Sequence, residues 1–296
     1  MVTAKSILKA RCVSILSMAA PNKPAWIAPR LRCGIGNRLF QAFAAIGAAE
    51  RAGVRPAFLL PRMSHYEHGN FDLIHTLCPT LPLLETADEW EELQETANKT
   101  VPPINTHKPV VLSGFFQNSE NFPDLYTFNI PRLPSPAPEF WPDVWAIHFR
   151  IGDYSILPHH QVPKLAQYYY QTIKANIPQS TKIILFSDSP KKLPQIAQEL
   201  TTMGYNPEIF DSEDVLETFK KFAACQGGSI CSNSTFAWWC AFFGFTNSKK
   251  YGKYRAFFPD IWLTNQPTPN ILNQPFTHSV KLSDLSAFPY LQSFSY

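Results

Sequence analysis

Val144-Trp-Ala-Ile-His-Phe149 and Lys182-Ile-Ile-Leu-Phe-Ser187 are short, almost unbroken apolar runs, and Ser229-Ile-Cys-Ser232 is a third of the same kind. A shorter run, Pro207-Glu-Ile-Phe210, reads as a further strand. Around them the spacing turns helical, over Lys164 to Asn176, Pro190 to Met203 with Gly204 as the stop, Glu213 to Cys225, and Thr235 to Phe245. Strands without a polar face, alternating with helices, imply a parallel sheet covered by helices. Ligands of such sheets bind at the carboxyl ends of the strands. That rule selects three places: His148 to Tyr154, Ser187-Asp188-Ser189, and Ser232 to Phe236.

Working outward, Pro131-Arg-Leu-Pro-Ser-Pro-Ala-Pro138 is the best linker, since prolines favour an extended segment. It separates a first half that opens with a short apolar segment, Ala25 to Leu31, followed by Cys33-Gly-Ile-Gly-Asn-Arg-Leu-Phe-Gln41. A helix is expected from Arg38, with Gly53 as its stop. Residues 57–60 and 109–112 read as buried strands, and the acidic stretch Glu85 to Thr96 between them as a helix. The expected organisation is an extension over 1–25, a first domain over 26–130, a second over 139–262, and a tail over 263–296 that packs back on the body.

Composition limits the function. Hydrophobic residues make up 45% of the 296 and charged ones 17%, enough for large cores. A net charge of only +3, with no basic stripe beyond Arg30/Arg32 and Lys249-Lys250, argues against a nucleic-acid partner. Cys12, Cys33, Cys78, Cys225, Cys231 and Cys240 form no C-x-x-C pair, so neither a zinc site nor a redox motif is suggested. Reduced thiols in a cytoplasmic protein are the expectation. Lys5, Lys9 and Arg11 before Cys12 to Ala20 resemble a signal segment, but the apolar part is short and broken by serines; the secretory lumen is the alternative. In that compartment the sequons at Asn98 and Asn233 would matter.

The three places suggest chemistry on their own. His148 and Arg150 lie two apart at the end of a strand, so one face receives both. Arginine offers a fixed fork of donors suited to phosphate, with Asp153 to orient it or to accept a proton; a purely structural Arg–Asp pair is the plainer reading. His148 taken alone reads better as a satisfied structural histidine. Ser234-Thr235 caps a helix, and the same helix start is a phosphate site. Asp188 is either an acceptor for a sugar or base, or an N-cap. Asn37, beside two glycines, is a turn residue or part of a second helix start. There is no Asp-x-Asp to hold a metal beside a nucleotide sugar, and Asp211-Ser-Glu-Asp214 reads as a helix start. No phosphate-binding Gly-x-x-x-x-Gly-Lys-Ser/Thr and no Gly-x-Ser-x-Gly occur.

Taken in order, Cys33 to Gln41, Gly114-Phe-Phe-Gln117, His148-Phe-Arg-Ile-Gly-Asp-Tyr154, Tyr168-Tyr-Tyr170, Phe186-Ser-Asp188 and Asn233-Ser-Thr-Phe-Ala-Trp-Trp239 resemble the motifs of glycosyltransferase family 11, the alpha-1,2-fucosyltransferases. The resemblance spans about residues 30 to 262. It implies two Rossmann-like α/β domains facing across a cleft (the GT-B type). It also implies GDP-fucose as donor substrate, a glycan acceptor and no metal or other cofactor. By motif, Arg150 grips the diphosphate with His148 beside it, and Asp188 meets the guanosine. Ser234, Thr235 and Phe236 hold the nucleotide phosphates and sugar, while Gly36 and Asn37 close from the first domain.

The chain departs from the family where Ile151 replaces a second arginine, a change shared with the protein O-fucosyltransferases. Cys33 replaces a glycine and Arg38 a glutamine. Asp153 and His159 or His160 are the candidates for a base. Peripheral membrane association follows if the acceptor is lipid-linked. A transferase using another nucleotide sugar, and a non-catalytic nucleotide-sugar-binding descendant, are the alternatives.

Overall fold

The computed structural model describes residues 26–59, 74, 81–84, 89–123, 141–248, 254–286, 290–294 and 296. The expected extension over 1–25, the proline-rich linker and Lys249-Lys250 lie outside these. The chain divides into two compact units, Met1–Arg132 and Leu133–Tyr296. Both are α/β with parallel sheets, the fold class expected.

In the first unit β1 (Trp26–Pro29) leads into α1 (Ile35–Ala52) and returns to β2 (Arg55–Pro56). Then follow β3 (Phe58–Leu59), β4 (Leu83–Leu84), β5 (Glu91–Gln94) and β6 (Val110–Ser113). The main sheet has the order β2-β1-β6-β5, and β3 pairs with β4; every pair is parallel. The apolar face of α1 meets the sheet through Ala44, Ala45, Ala48 and Ala49, which pack with Ile27, Val110 and Leu112. Gly53 ends the helix, as the sequence suggested.

Two expectations fail here. The acidic stretch after Glu85 is no helix where it is described: Glu91–Gln94 is an edge strand paired in register with β6. Glutamate favours helices only weakly, and pairing with a neighbouring strand overrides it. Glu91 and Leu93 are half-buried, while Glu92 faces out and pairs with Arg30. Helix α1 also begins three residues before Arg38, because Gly34 is extended (φ −65°, ψ 164°) and serves as the N-cap. Asn37 therefore lies inside the first turn.

The second unit runs β7 (Trp145–Phe149), α2 (Leu165–Asn176), β8 (Lys182–Ser187), α3 (Leu193–Thr202) and β9 (Asn206–Ile209). It continues through α4 (Val215–Ala224), β10 (Gly228–Cys231), α5 (Thr235–Asn247), β11 (Ala256–Pro259) and β12 (Thr277–Val280). The sheet order is β12-β11-β10-β7-β8-β9, all parallel. Counted from β7, this is the doubly wound order 3-2-1-4-5-6, whose direction reverses between β7 and β10. The tail supplies β12, so it belongs to the sheet as well as packing on it.

Helix α2 buries Leu165, Tyr168, Tyr169, Thr172 and Ile173, one stripe at helical spacing. Helix α5 is apolar all round and fully buried at Trp238, Trp239 and Phe242, as a central helix requires. Asp214 caps α4 by accepting from the Leu216 and Glu217 N–H groups, which settles the acidic cluster before it as a helix start. No helix among the described residues is long and apolar enough to cross a membrane.

Candidate active site

The strand order reverses between β7 and β10, and in doubly wound sheets ligands bind at the carboxyl ends of the strands beside such a reversal. The residues there are His148 and Arg150 after β7, Asp188 after β8, and Ser232 to Phe236 after β10. Two tyrosines of α2 brace the strand ends. Tyr169 Oη donates to the His148 carbonyl at 2.7 Å, and Tyr168 Oη reaches the Cys231 and Phe257 carbonyls, both at 2.8 Å. These are positioning residues. Only their place in the Tyr168-Tyr-Tyr170 triplet marked them in the sequence.

Arg150 stands immediately beyond β7. Its Nε lies 3.2 Å from Asp188 Oδ2, its Nη2 donates to Asp153 Oδ2 at 2.9 Å, and its guanidinium lies 5.3 Å from the centre of the Tyr154 ring. Burial would lower its pKa, but Asp188 and then Asp153 outweigh that and raise it. Tyr154 links the loop to the next strand end, donating to the Asn233 carbonyl at 3.1 Å. Burial holds the Tyr154 phenol well above its ordinary range.

Asp188 is turned onto this loop. Its Oδ1 accepts from the Ile151 and Gly152 N–H groups at 2.9 and 3.2 Å. The approach is so close that a Cβ on Gly152 would lie 2.6 Å from Asp188 Oδ2. The adjoining 3₁₀ turn is capped at Ser189, so Asp188 is not an N-cap. The guanosine contact implied for it has its carboxylate already committed to the 150s loop.

His148 is buried, with Nδ1 3.1 Å from Ser232 Oγ and its ring between Phe222 and Phe236. Burial lowers its pKa to about 4, Arg150 adding to the effect and Asp188 opposing it. It is a neutral strand-to-strand bridge beside the arginine. The structural reading of this histidine is the one the geometry supports.

Ser234 is the N-cap of α5, its Oγ 3.5 Å from the Ala237 N–H. Thr235 and Phe236 follow half-buried in the first turn, which contains no acidic residue to neutralise the helix start. Asn233 ties the loops together: its Nδ2 donates to the His160 and Trp262 carbonyls at 3.1 and 2.8 Å. Being buried, Asn233 is closed to glycosylation, whereas Asn98 is exposed in a turn. The His160 ring lies tilted against Tyr154, ring centres 4.5 Å apart, and burial lowers its pKa. His159 is exposed.

The first unit repeats the arrangement at the ends of β1 and β6. Gly36 and Asn37 lie in the first turn of α1, and Asn37 Oδ1 accepts from Gln117 Nε2 at 2.9 Å. The Arg32 guanidinium lies 4.7 Å from the centre of the Phe115 ring. Glu95, read as a helix residue in the sequence, holds this loop instead. Its Oε2 accepts from the Phe115 and Phe116 N–H groups at 2.7 Å each, and Lys99 pairs with its other oxygen at 3.2 Å. Phe116 is buried with φ 51° and Cys33 exposed with φ 63°, both in the left-handed region that disfavours side chains. Backbone strain of this kind gathers at binding loops. Among the described residues, no cluster of three His, Cys, Asp or Glu side chains could hold a metal ion.

No protein-family profile and no curated protein matches the chain. Solved structures are similar to it. Fucosyltransferase NodZ from Bradyrhizobium has 11% identity and a TM-score of 0.44 over 74% of this chain and 93% of its own. NodZ alpha-1,6-fucosyltransferase co-crystallized with GDP has 11% identity and a TM-score of 0.45 over 74% and 92%. A mutant of Arabidopsis thaliana FUT1 in complex with GDP has 10% identity and a TM-score of 0.43 over 80% and 71%. At these values the functional reading stands on the site residues themselves.

Proposed function

We propose that the chain is an inverting glycosyltransferase that moves L-fucose from GDP-fucose to a glycan hydroxyl, the 2-hydroxyl of galactose, without a metal. The observation that carries this reading is Arg150. It is a partly exposed guanidinium braced by Asp188 at the strand reversal, and Tyr154 links it to the segment that opens α5. Displacement at the anomeric carbon leaves negative charge on the departing GDP. A fixed guanidinium and a helix start free of acidic side chains stabilise such charge, commonly the largest catalytic contribution. His160, kept neutral by burial, is the better placed of the base candidates, because the Asp153 carboxylate already accepts from Arg150. Gly36 and Asn37 form the second ligand-facing turn.

The first test is thermal stabilisation by GDP, GDP-fucose, UDP and CMP, with and without EDTA. Stabilisation by GDP and GDP-fucose irrespective of EDTA is expected. A preference for UDP would favour the reading in which Ile151, in place of a second arginine, marks a different donor. Arg150→Ala should abolish transfer while the fold survives, and an active variant would refute the assignment. Linkage analysis of the product then separates 1,2 transfer from the 1,6 transfer named for NodZ. The proposed site of action is the cytoplasm; among the described residues Cys33, Cys225, Cys231 and Cys240 are free thiols. If the acceptor is lipid-linked, cell fractionation will find part of the protein at membranes.

A further inference from the structure

The charges around Arg150 do not match a diphosphate. One guanidinium meets two carboxylates, Asp188 and Asp153, and the neighbouring His148 is neutral. The cluster thus carries a net negative charge before any ligand arrives. Ile151 adds nothing to it, being buried in the apolar core.

The two carboxylates are held differently. Asp188 is fixed by two backbone N–H groups and is 20% exposed. Asp153 is 49% exposed, begins a single 3₁₀ turn (Asp153–Ile156), and makes its hydrogen bond to Arg150 Nη2. One carboxylate is built into the loop; the other is free to swing away.

We propose that Asp153 is a displaceable counterion, occupying on Arg150 the place that a ligand phosphate takes and so setting the charge a ligand must bring. The proposal rests on reading Arg150 as the diphosphate grip. A tethered carboxylate has a high effective concentration at its partner, so a free anion of single charge gains too little from the arginine to replace it. A diphosphate carries more charge and can engage the guanidinium fork with two oxygens, which displaces a single oxygen contact. Asp153 thereby acts as a specificity-determining residue for donor binding and does not serve as the base.

The test is calorimetric titration of the wild type, Asp153→Asn and Asp188→Asn with inorganic pyrophosphate and with GDP, at low and high salt. Asparagine keeps an acceptor for Arg150 and removes only the charge. Asp153→Asn should bind both probes about three- to tenfold more tightly at low salt, with the gain shrinking at high salt. Asp188→Asn should bind more weakly, because the loop loses its fixed anchor. Asp153→Ser replaces the asparagine variant if that one does not fold. Binding by Asp153→Asn that equals or falls below a measurable wild-type affinity overturns the proposal, and lost turnover alongside would point to a base. If no protein in the series binds either probe, the diphosphate reading itself fails and the proposal falls with it.

Discussion

Replacing Asp188 tests whether the 150s loop is held by one carboxylate. Asp188→Ala removes the acceptor for the Ile151 and Gly152 N–H groups and the partner of Arg150 Nε. Hydrogen bonds to an ionised acceptor contribute about 1.5–3 kcal/mol each. The site is partly open to water, so the lower end applies and two bonds give a loss of about 3 kcal/mol. Asp188→Asn can still present one oxygen to both N–H groups. It loses the ion pair and turns an amide donor towards Arg150 Nε, a cost of about 1–2 kcal/mol. Gly152→Ala attacks the same contact from the other side, since its Cβ would lie 2.6 Å from Asp188 Oδ2; about 1–3 kcal/mol is expected for such crowding. Urea unfolding followed by fluorescence of Trp141, Trp145, Trp238, Trp239 and Trp262 reports on this unit, and GDP titration reports on the loop. Equal costs for alanine and asparagine, with GDP binding unchanged in both, would refute the argument that this carboxylate organises the site.

Three further outcomes follow from the same geometry. Glu95→Ala should destabilise the first unit by about 3–5 kcal/mol by orphaning the Phe115 and Phe116 N–H groups, and Glu95→Gln by about 1 kcal/mol, as read from the urea midpoint of Trp26 and Trp90 fluorescence. Cys33→Gly should stabilise that unit by about 0.5–1 kcal/mol, because it relieves a left-handed residue while adding some unfolded-state entropy; a loss in the same assay would mean the thiol contributes packing. His148 makes stability fall on acidification. Its folded pKa of about 4 lies below the ordinary 6.5, so the unfolded chain takes up a proton that the fold refuses. The contribution is intact above pH 6.5 and is lost as the pH falls towards about 4, to the extent of about 3 kcal/mol. A His148→Asn variant should lack that part of the pH dependence of the melting temperature, and an unchanged profile would assign it to other groups.

The second unit was legible from β7 to α5, because β7, β8 and β10 are apolar runs and helices such as α2 carry one buried stripe; β11 and β12 were not read as strands, and β12 has the half-polar sequence Thr-His-Ser-Val. The three ligand-side segments fell where the strand-end rule put them. The first unit was harder. Its strands are two to four residues long; β5 carries the half-buried Glu91 and the outward-facing Glu92 that pairs with Arg30, and Glu95 just past its end clamps a neighbouring loop. Nothing local distinguishes such a segment from an acidic helix; the partner strand β6 decides. Asn37 was placed at a helix start one turn too late because an extended glycine served as the cap without any side-chain signal. The inward turn of Asp188 could not be read either, since it depends on backbone donors 36 and 37 residues away.

Glu95 and Asp188 share one design. Each stands just past the end of a strand, Glu95 after β5 and Asp188 after β8, beside the strand whose following loop it holds. Each accepts from two successive backbone N–H groups of that loop and then pairs with a cation, Lys99 or Arg150. In each loop a glycine lets the carboxylate side chain approach: a Cβ at Gly114 would lie 2.6 Å from the Glu95 Cβ, as one at Gly152 would from Asp188 Oδ2. A loop after a parallel strand has backbone donors that the sheet does not satisfy, and one carboxylate meets two of them at once. The device fixes the loop from the side, through its backbone. What differs is the cation. In the first unit it is a lysine on the clamp's own turn, and the nearby side chains of Asn37 and Gln117 are neutral amides bonded to each other. In the second it is an arginine in the clamped loop itself, so the same device that fixes the backbone also aims the charge. The proposed function assigns the neutral, amide-lined turn to sugar hydroxyls and the braced guanidinium to a phosphate.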